Sequence, residues 1–157
     1  MIATKKMFLL IIFSIVATFA NAQANEPVTW TFSLKKVNSA EAILRVTCRI
    51  APNWCIYATD LPDGGPIRTS IRLAASEHYR AVGDIVQIPL PRKKFEKAFG
   101  MQLSYHRDSV VFEQNIHFSG KPATIKGTVD YMCENGRLCL KPEVVTFELN
   151  AFEVKKR

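Results

Sequence analysis

Beyond residue 22 the 157-residue sequence has no apolar run long enough to cross a membrane, no internal repeat, no low-complexity tract and no long linker. A spanning helix needs about 20 consecutive apolar residues, so a membrane-spanning helix in the secreted chain is excluded and no membrane insertion of it is expected. The missing repeats and biased tracts exclude solenoids, collagen-like chains and disordered tails. Helical periodicity is scarce as well. Only Arg92 to Phe99 looks helix-like, and it reads as a loop with at most one turn. His78, His106 and His117 have no metal-ligand spacing and read as surface or capping residues. Arg92-Lys93-Lys94 and Lys155-Lys156-Arg157 come without any nucleic-acid motif and read as solvated surface. No cofactor, metal or nucleic acid is therefore expected.

The composition that remains, 48% hydrophobic and 22% charged, is that of a globular protein. Lys5-Lys6 precede a continuous apolar stretch from Met7 to Phe19, followed by Ala20-Asn21-Ala22. A basic start, a short apolar run and a small-x-small site describe a cleavable secretory signal over residues 1–22. No cysteine follows the cleavage site, so no lipid-attachment signal is seen. The two lysines are the only charges in that segment, so the remaining 135 residues change the net charge from +7 to +5. A single monomeric domain, 23–157, is expected. It can bury about two-thirds of its unfolded surface and needs no disulfide merely to fold.

The prevailing period is two. Leu44, Val46, Cys48 and Ile50 alternate with polar residues, as do Val110, Phe112, Ile116 and Phe118, then Ile125, Val129, Tyr131 and Cys133, then Val145, Phe147 and Leu149. Each is a half-buried antiparallel strand. Further strands are expected at 28–34, 54–59, 67–74 and 80–88. Turn signals separate them at 51–53, 62–66, 106–108, 119–122 and 135–136. Seven or more short strands with regular turns predict an all-β protein, an immunoglobulin-like antiparallel sandwich. Trp30, Phe32 and Trp54 read as core.

The four cysteines are the chemistry-bearing residues. Cys133-Glu134-Asn135-Gly136-Arg137-Leu138-Cys139 sets two of them around a turn signal. A two-residue hairpin on Asn135-Gly136 would set Cys133 opposite Leu138. A Cys133–Cys139 bond requires the loop to centre on Gly136, with opposed Cα atoms about 4.5–5.5 Å apart. Closing so short a loop stabilises by only about 2 kcal/mol. Alternation puts Cys133 on the core side. Arg137 and Lys141 favour a thiolate, and Glu134 opposes it. A purely structural bond, in a non-catalytic binding domain, is the alternative reading. Zinc is disfavoured, because C-x5-C and C-x6-C do not match the usual short spacings. Cys48 shares the parity of Val46 and Ile50 and reads as a buried small hydrophobe; a Cys48–Cys55 bridge across the 51–54 turn is the other option.

Gly127-Thr128-Val129-Asp130-Tyr131-Met132-Cys133, then Leu138-Cys139-Leu140-Lys141-Pro142 and Val145-Thr146-Phe147-Glu148-Leu149, resemble the end of the N-terminal (alpha) domain of the thiol:disulfide interchange protein DsbD. Asn53-Trp54-Cys55-Ile56-Tyr57 and Gly64-Gly65-Pro66-Ile67-Arg68-Thr69 resemble earlier parts of it, so the likeness covers about residues 28–150. The resemblance implies an immunoglobulin-like sandwich whose Cys133 and Cys139 cycle between dithiol and disulfide. It implies electrons taken from a membrane-embedded donor and passed to periplasmic thioredoxin-like proteins, with Cys139 attacking and Cys133 resolving. It further implies a cap loop at 95–100 with Phe99 as its shielding aromatic, Glu96 as a carboxylate near the sulfurs, and Tyr57 and Cys55 beside the site. Three departures stand out. Lys141-Pro142 replaces the usual Pro-Pro, the membrane and thioredoxin-like domains of the longer family members are not in this sequence, and Cys48 and Cys55 are extra.

Overall fold

The computed structural model describes residues 26–121 and 123–151; the expected signal segment and the basic run at 155–157 lie outside the described residues. Those residues form strands and no helix. In chain order the strands are β1 Val28–Lys36, β2 Glu41–Ile50, β3 Cys55–Tyr57, β4 Ser70–Leu73, β5 Tyr79–Ile88, β6 Arg92–Glu96, β7 Met101–His106, β8 Ser109–Phe118, β9 Ala123–Tyr131, β10 Cys133–Glu134 and β11 Glu143–Ala151. They pair antiparallel into three sheets, β1-β2-β8-β5, β10-β3-β7-β6 and β11-β9-β4.

The period-two pattern decides which face goes inward. In β2, Ala42, Leu44, Val46, Cys48 and Ile50 are buried while Glu41, Arg45 and Arg49 are exposed. In β8, Val110, Phe112, Ile116 and Phe118 are buried on the same parity. Gln114 shares that parity, and its amide satisfies itself by donating to the carbonyls of Val82 and Gly83. Those carbonyls belong to a bulge that breaks the β5–β8 register between Val82 and Val86. The core runs through all three sheets: Leu44, Val46 and Phe112 of the first meet Ile56 and Cys133 of the second and Ile125, Val129 and Phe147 of the third. The four-stranded β1-β2-β8-β5 sheet is thus one layer of an immunoglobulin-like sandwich, and the two smaller sheets share the other. Trp30, Phe32 and Trp54 pack against this core, as expected.

At Gly127 the alternation of β9 has no side chain. The reason is Phe147, which stands opposite it and stacks on Phe32 at 4.5 Å between ring centroids. A Cβ on Gly127 would lie 2.5 Å from the Phe147 ring and 2.6 Å from the Arg72 carbonyl, where no real Cβ fits.

One segment differs from expectation. Residues 92–99 are not a loop with a helical turn. Arg92–Glu96 is an edge strand, paired to β7 from Arg92↔Tyr105 to Glu96↔Met101, with the turn confined to 97–100. Its period is hidden because the half-covered positions hold Lys94 and Glu96, while Phe95 is 63% exposed.

Candidate active site: the cysteine loop

The chain leaves β9 at Tyr131, crosses Met132 and enters β10, so one continuous run joins two sheets and delivers Cys133 and Glu134 beside β3. The loop that follows is built on polar side chains. The Asn135 Oδ1 accepts hydrogen bonds from the backbone N–H of Arg137 and Leu138, closing a local turn. The Glu134 carboxylate accepts one from the Gly136 N–H, and Gly136 takes φ +82°, which suits glycine. The Asn135 N–H then donates to the Leu138 carbonyl, and the Leu140 N–H to the Cys133 carbonyl.

This register corrects the expected one. Cys139 stands opposite Glu134, not opposite Cys133. The loop centres between Gly136 and Arg137, because Asn135 and Glu134 both fold back on it. All four cysteines carry free thiols in this structure, so neither a Cys133–Cys139 nor a Cys48–Cys55 bond is closed.

Directly opposed residues of an antiparallel pair share a face. Cys55 is opposite Glu134, and Glu134 is opposite Cys139. These three therefore stand in a row on the face of the sheet turned away from the large core. Tyr57, Tyr105 and Lys94 lie on the same face, by the pairings Tyr57↔Tyr105 and Lys94↔Leu103. Cys133 and Ile56 point the other way, into the core, as alternation predicted for Cys133.

Glu134 is the hub of the outer face. Its Oε1 accepts the Cys55 thiol at 2.9 Å and the Lys94 ammonium at 2.6 Å. Lys94 also reaches Glu96 at 3.3 Å and sits over the Tyr105 ring, 5.4 Å from its centroid. Arg107 approaches the same ring at 5.6 Å. Burial works to raise the Glu134 carboxyl, but the hydrogen bonds from Cys55, Lys94 and Gly136 outweigh it and hold it below its ordinary range. Burial works against the Lys94 ammonium, and the bond to Glu134 reverses that, leaving Lys94 raised.

The thiols shift the other way. Burial, then the bond and charge of Glu134, push Cys55 up to about 12. Burial, with the charges of Glu143, Cys139 and Glu134, pushes Cys133 up to about 11. Cys139, exposed, is raised by desolvation and by Glu134. Acidification by Arg137 and Lys141, expected from the sequence, does not prevail, because desolvation, with the carboxylate standing across the ladder from the sulfur, raises the thiol.

The expected site residues divide as follows. Cys139, Cys55 and Tyr57 lie together around Glu134, and Cys133 lies beneath them on the core side. Glu96 is not the carboxylate at the sulfurs; it pairs with Lys94, and Glu134 holds that place. Phe99 sits at the tip of the β6–β7 hairpin, 38% exposed and outside both hydrophobic clusters. Cys48 is a core residue of β2. His106 is also buried, bonded to the Gln87 Oε1 at 2.9 Å and edge-on to Phe112, and desolvation lowers it to about 4. No group of three or more potential metal ligands exists among the described residues. Sequence reasoning missed Lys94, which it filed under a basic surface run. A lysine between Lys93 and Phe95 gives no local sign of a partner 40 residues away.

Chemically, the loop offers one thiol that a second protein can reach and one that is shielded, both protonated at neutral pH. The sequence matches the family described as thiol:disulfide interchange protein DsbD, N-terminal, over residues 21–151. Among solved structures the chain is similar to the N-terminal periplasmic domain of ScsB from Proteus mirabilis, with TM-score 0.57 and 18% identity over 82% of this chain and 47% of that one. It therefore spans about half the length of that relative. It is also similar to the DsbD N-terminal domain of Neisseria meningitidis in the reduced form, with TM-score 0.52 and 14% identity over 78% of this chain and 85% of that one. At such identities the likeness concerns the fold. A search of curated protein sequences finds no match.

Proposed function

This chain belongs to the family of DsbD N-terminal domains, and from that membership we propose that it is a periplasmic thiol–disulfide exchange module working through Cys133 and Cys139. A membrane-embedded donor reduces the Cys133–Cys139 disulfide. Cys139 then gives up its proton to solvent and attacks the disulfide of a periplasmic thioredoxin-like protein: a sulfur–sulfur bond forms to Cys139, and the partner's other sulfur leaves as thiolate. Cys133, its proton passing to the partner's thiolate, attacks the Cys139 Sγ; the mixed disulfide breaks, the Cys133–Cys139 bond closes, and the partner's second sulfur leaves as thiolate, so the partner departs with two electrons gained. Because Cys139 stands opposite Glu134 in the dithiol, closing that bond requires residues 138–140 to move by about one residue. The rung at Cys139 is isolated, so the adjustment is local.

The observation that carries this reading is the pairing, in one seven-residue loop inside the matched span, of an exposed thiol with a buried one. An attacking sulfur must be reachable, and a resolving sulfur need only reach its neighbour. Mature protein, beginning after residue 22 and acting as a monomer without a cofactor, is the active species.

The test is trapping. Cys133→Ser should accumulate a mixed disulfide with a thioredoxin-like partner, and Cys139→Ser should abolish transfer. The reverse pattern would exchange the two roles, and no trapping with either variant would remove exchange altogether. A reduction potential above about −300 mV, outside the range of structural bonds, is expected for the pair.

A further inference from the structure

The Lys94–Glu134 pair joins two parts of the molecule that the backbone joins weakly. Lys94 belongs to β6, an edge strand bonded to β7 alone. β7 in turn meets β3 at Ile56↔His106 and Tyr57↔Tyr105, with one further backbone bond from the Ala58 N–H to the Ser104 carbonyl. Glu134 belongs to the cysteine loop. Their side chains are 26% and 9% exposed, so the 2.6 Å contact is largely withdrawn from water, unlike an ordinary surface pair. The same carboxylate oxygen takes the Cys55 thiol, which has no exposed surface. Ammonium, carboxylate and thiol are thus packed at one point between hairpin and loop.

We propose that Lys94 and Glu134 form a latch, acting as positioning residues that hold the β6–β7 hairpin closed against the cysteine loop and release it when their contact is broken. The purpose assigned to the latch, gating access to the loop, rests on the exchange reading above. The latch itself does not. The other charged and titratable groups facing this point are Glu96 on β6, which competes for Lys94, Tyr105 on β7 with Arg107 just beyond it, Tyr57 on β3, and Cys139 of the loop itself, opposite Glu134. None of them bridges hairpin to loop as Lys94 does.

The native cysteines supply the assay. Cys55 lies under the latch on the outer face of its sheet, and Cys48 lies in β2 within the sandwich core; both are fully buried. Alkylation of the reduced protein by iodoacetamide, resolved at each cysteine by peptide mass spectrometry, therefore reports local opening at Cys55 and global opening at Cys48. Lys94→Met gives opposite signs for the two explanations. If Lys94 acted by charge alone, its loss would leave Glu134 unopposed, raise the Cys55 thiol further and slow its alkylation. If Lys94 is a latch, its loss opens the site, and Cys55 reacts about tenfold faster or more while Cys48 is unchanged. Lys94→Arg, which keeps the cation, should retain the slow rate.

Glu134→Gln should accelerate Cys55 alkylation, and the double variant with Lys94→Met should exceed neither single variant appreciably, since both break one contact. Unchanged or slower Cys55 alkylation in Lys94→Met overturns the latch. So does an equal acceleration at Cys48, which would mean that the whole domain has loosened. No partner protein enters this assay. A latch without exchange would show in alkylation and not in trapping, and exchange without a latch would show the reverse.

Discussion

Cys48 and Cys55 are the same residue type at the same burial, with no exposed surface on either, yet they occupy different chemistry. Cys48 lies between Trp30 and Val110 on the neighbouring strands, in a core of Leu, Val, Ile and Phe. Its thiol is pushed up chiefly by burial, and it behaves as a small apolar side chain. Cys55 meets a carboxylate at 2.9 Å, with Lys94 on the same oxygen. The difference is between two regions. The large sandwich core is apolar and held by area. The small β10-β3-β7-β6 sheet keeps its core-facing side in that core and carries, on its other side, a polar cluster held by specific bonds. Burial alone therefore does not tell a structural thiol from one at a site; the partner atoms do.

The contrast can be broken most strongly in the core. Phe112 is fully buried and stacks with Trp30 at 6.1 Å. Phe112→Ala should cost about 3–5 kcal/mol in urea unfolding, the usual loss for truncating a buried aromatic residue. A loss below about 1 kcal/mol would mean that the core is less tightly packed than its contacts indicate. Gly127→Ala comes next. It forces the Phe147 ring or the Arg72 carbonyl to move and should cost about 1–3 kcal/mol by overpacking, read as a lowered urea midpoint at unchanged slope.

A smaller effect separates the small sheet from the core by pH. His106 is lowered to about 4 in the folded protein. The unfolded chain, with an ordinary histidine near 6.5, binds that proton first, so stability falls as pH drops from about 6.5 to about 4 and this loss levels off below. Glu134 acts later. Its depressed carboxyl contributes fully above the ordinary carboxylate range, and that contribution is lost as pH falls through its own lower value. Urea midpoints between pH 7 and pH 3 should fall throughout, and His106→Gln should flatten the upper part of the decline. A flat wild-type profile from pH 6.5 to 4 would contradict the buried neutral imidazole. The smallest effect is expected at the hairpin tip. Phe99→Ala should change stability by no more than about 0.5 kcal/mol, because the ring is outside both clusters; a loss of several kcal/mol would make it a core contact.

How far the sequence could be read follows the same division. The strands β1, β2, β8, β9 and β11 were legible because one face is buried and the other wet, which writes a period of two into the residues; β3, β4 and β5 fall in the segments expected at 54–59, 67–74 and 80–88, although β5 is mostly exposed. The β6 strand was not legible. It is an edge whose half-covered positions hold Lys94 and Glu96, so charge stands where a pattern reader expects apolar residues. β7 was lost for a related reason, since its core-facing positions are Ser104 and His106, buried polar residues that satisfy themselves through Asp60 and Gln87. Cys133 and Cys139 stood out by spacing, and the core orientation of Cys133 followed from parity. The register of their loop did not. It depends on Asn135 and Glu134 bonding back to the turn, a choice among side-chain acceptors that spacing leaves open.

What the sequence by itself determined is what repeats along a strand or lies within a few residues: the alternation, the turns at Asn53, Asp108 and Gly136, the all-β class and the cysteine pair. Local sterics and one-sided burial act over such distances, so they leave a trace in the order of residues. What only the tertiary structure decided is the company each of those residues keeps. Glu134 binds Cys55 from 79 positions away and Lys94 from 40. Such a contact exists because three strands from separate parts of the chain meet in one sheet, and no rule of neighbouring residues encodes which carboxylate a buried thiol will find there.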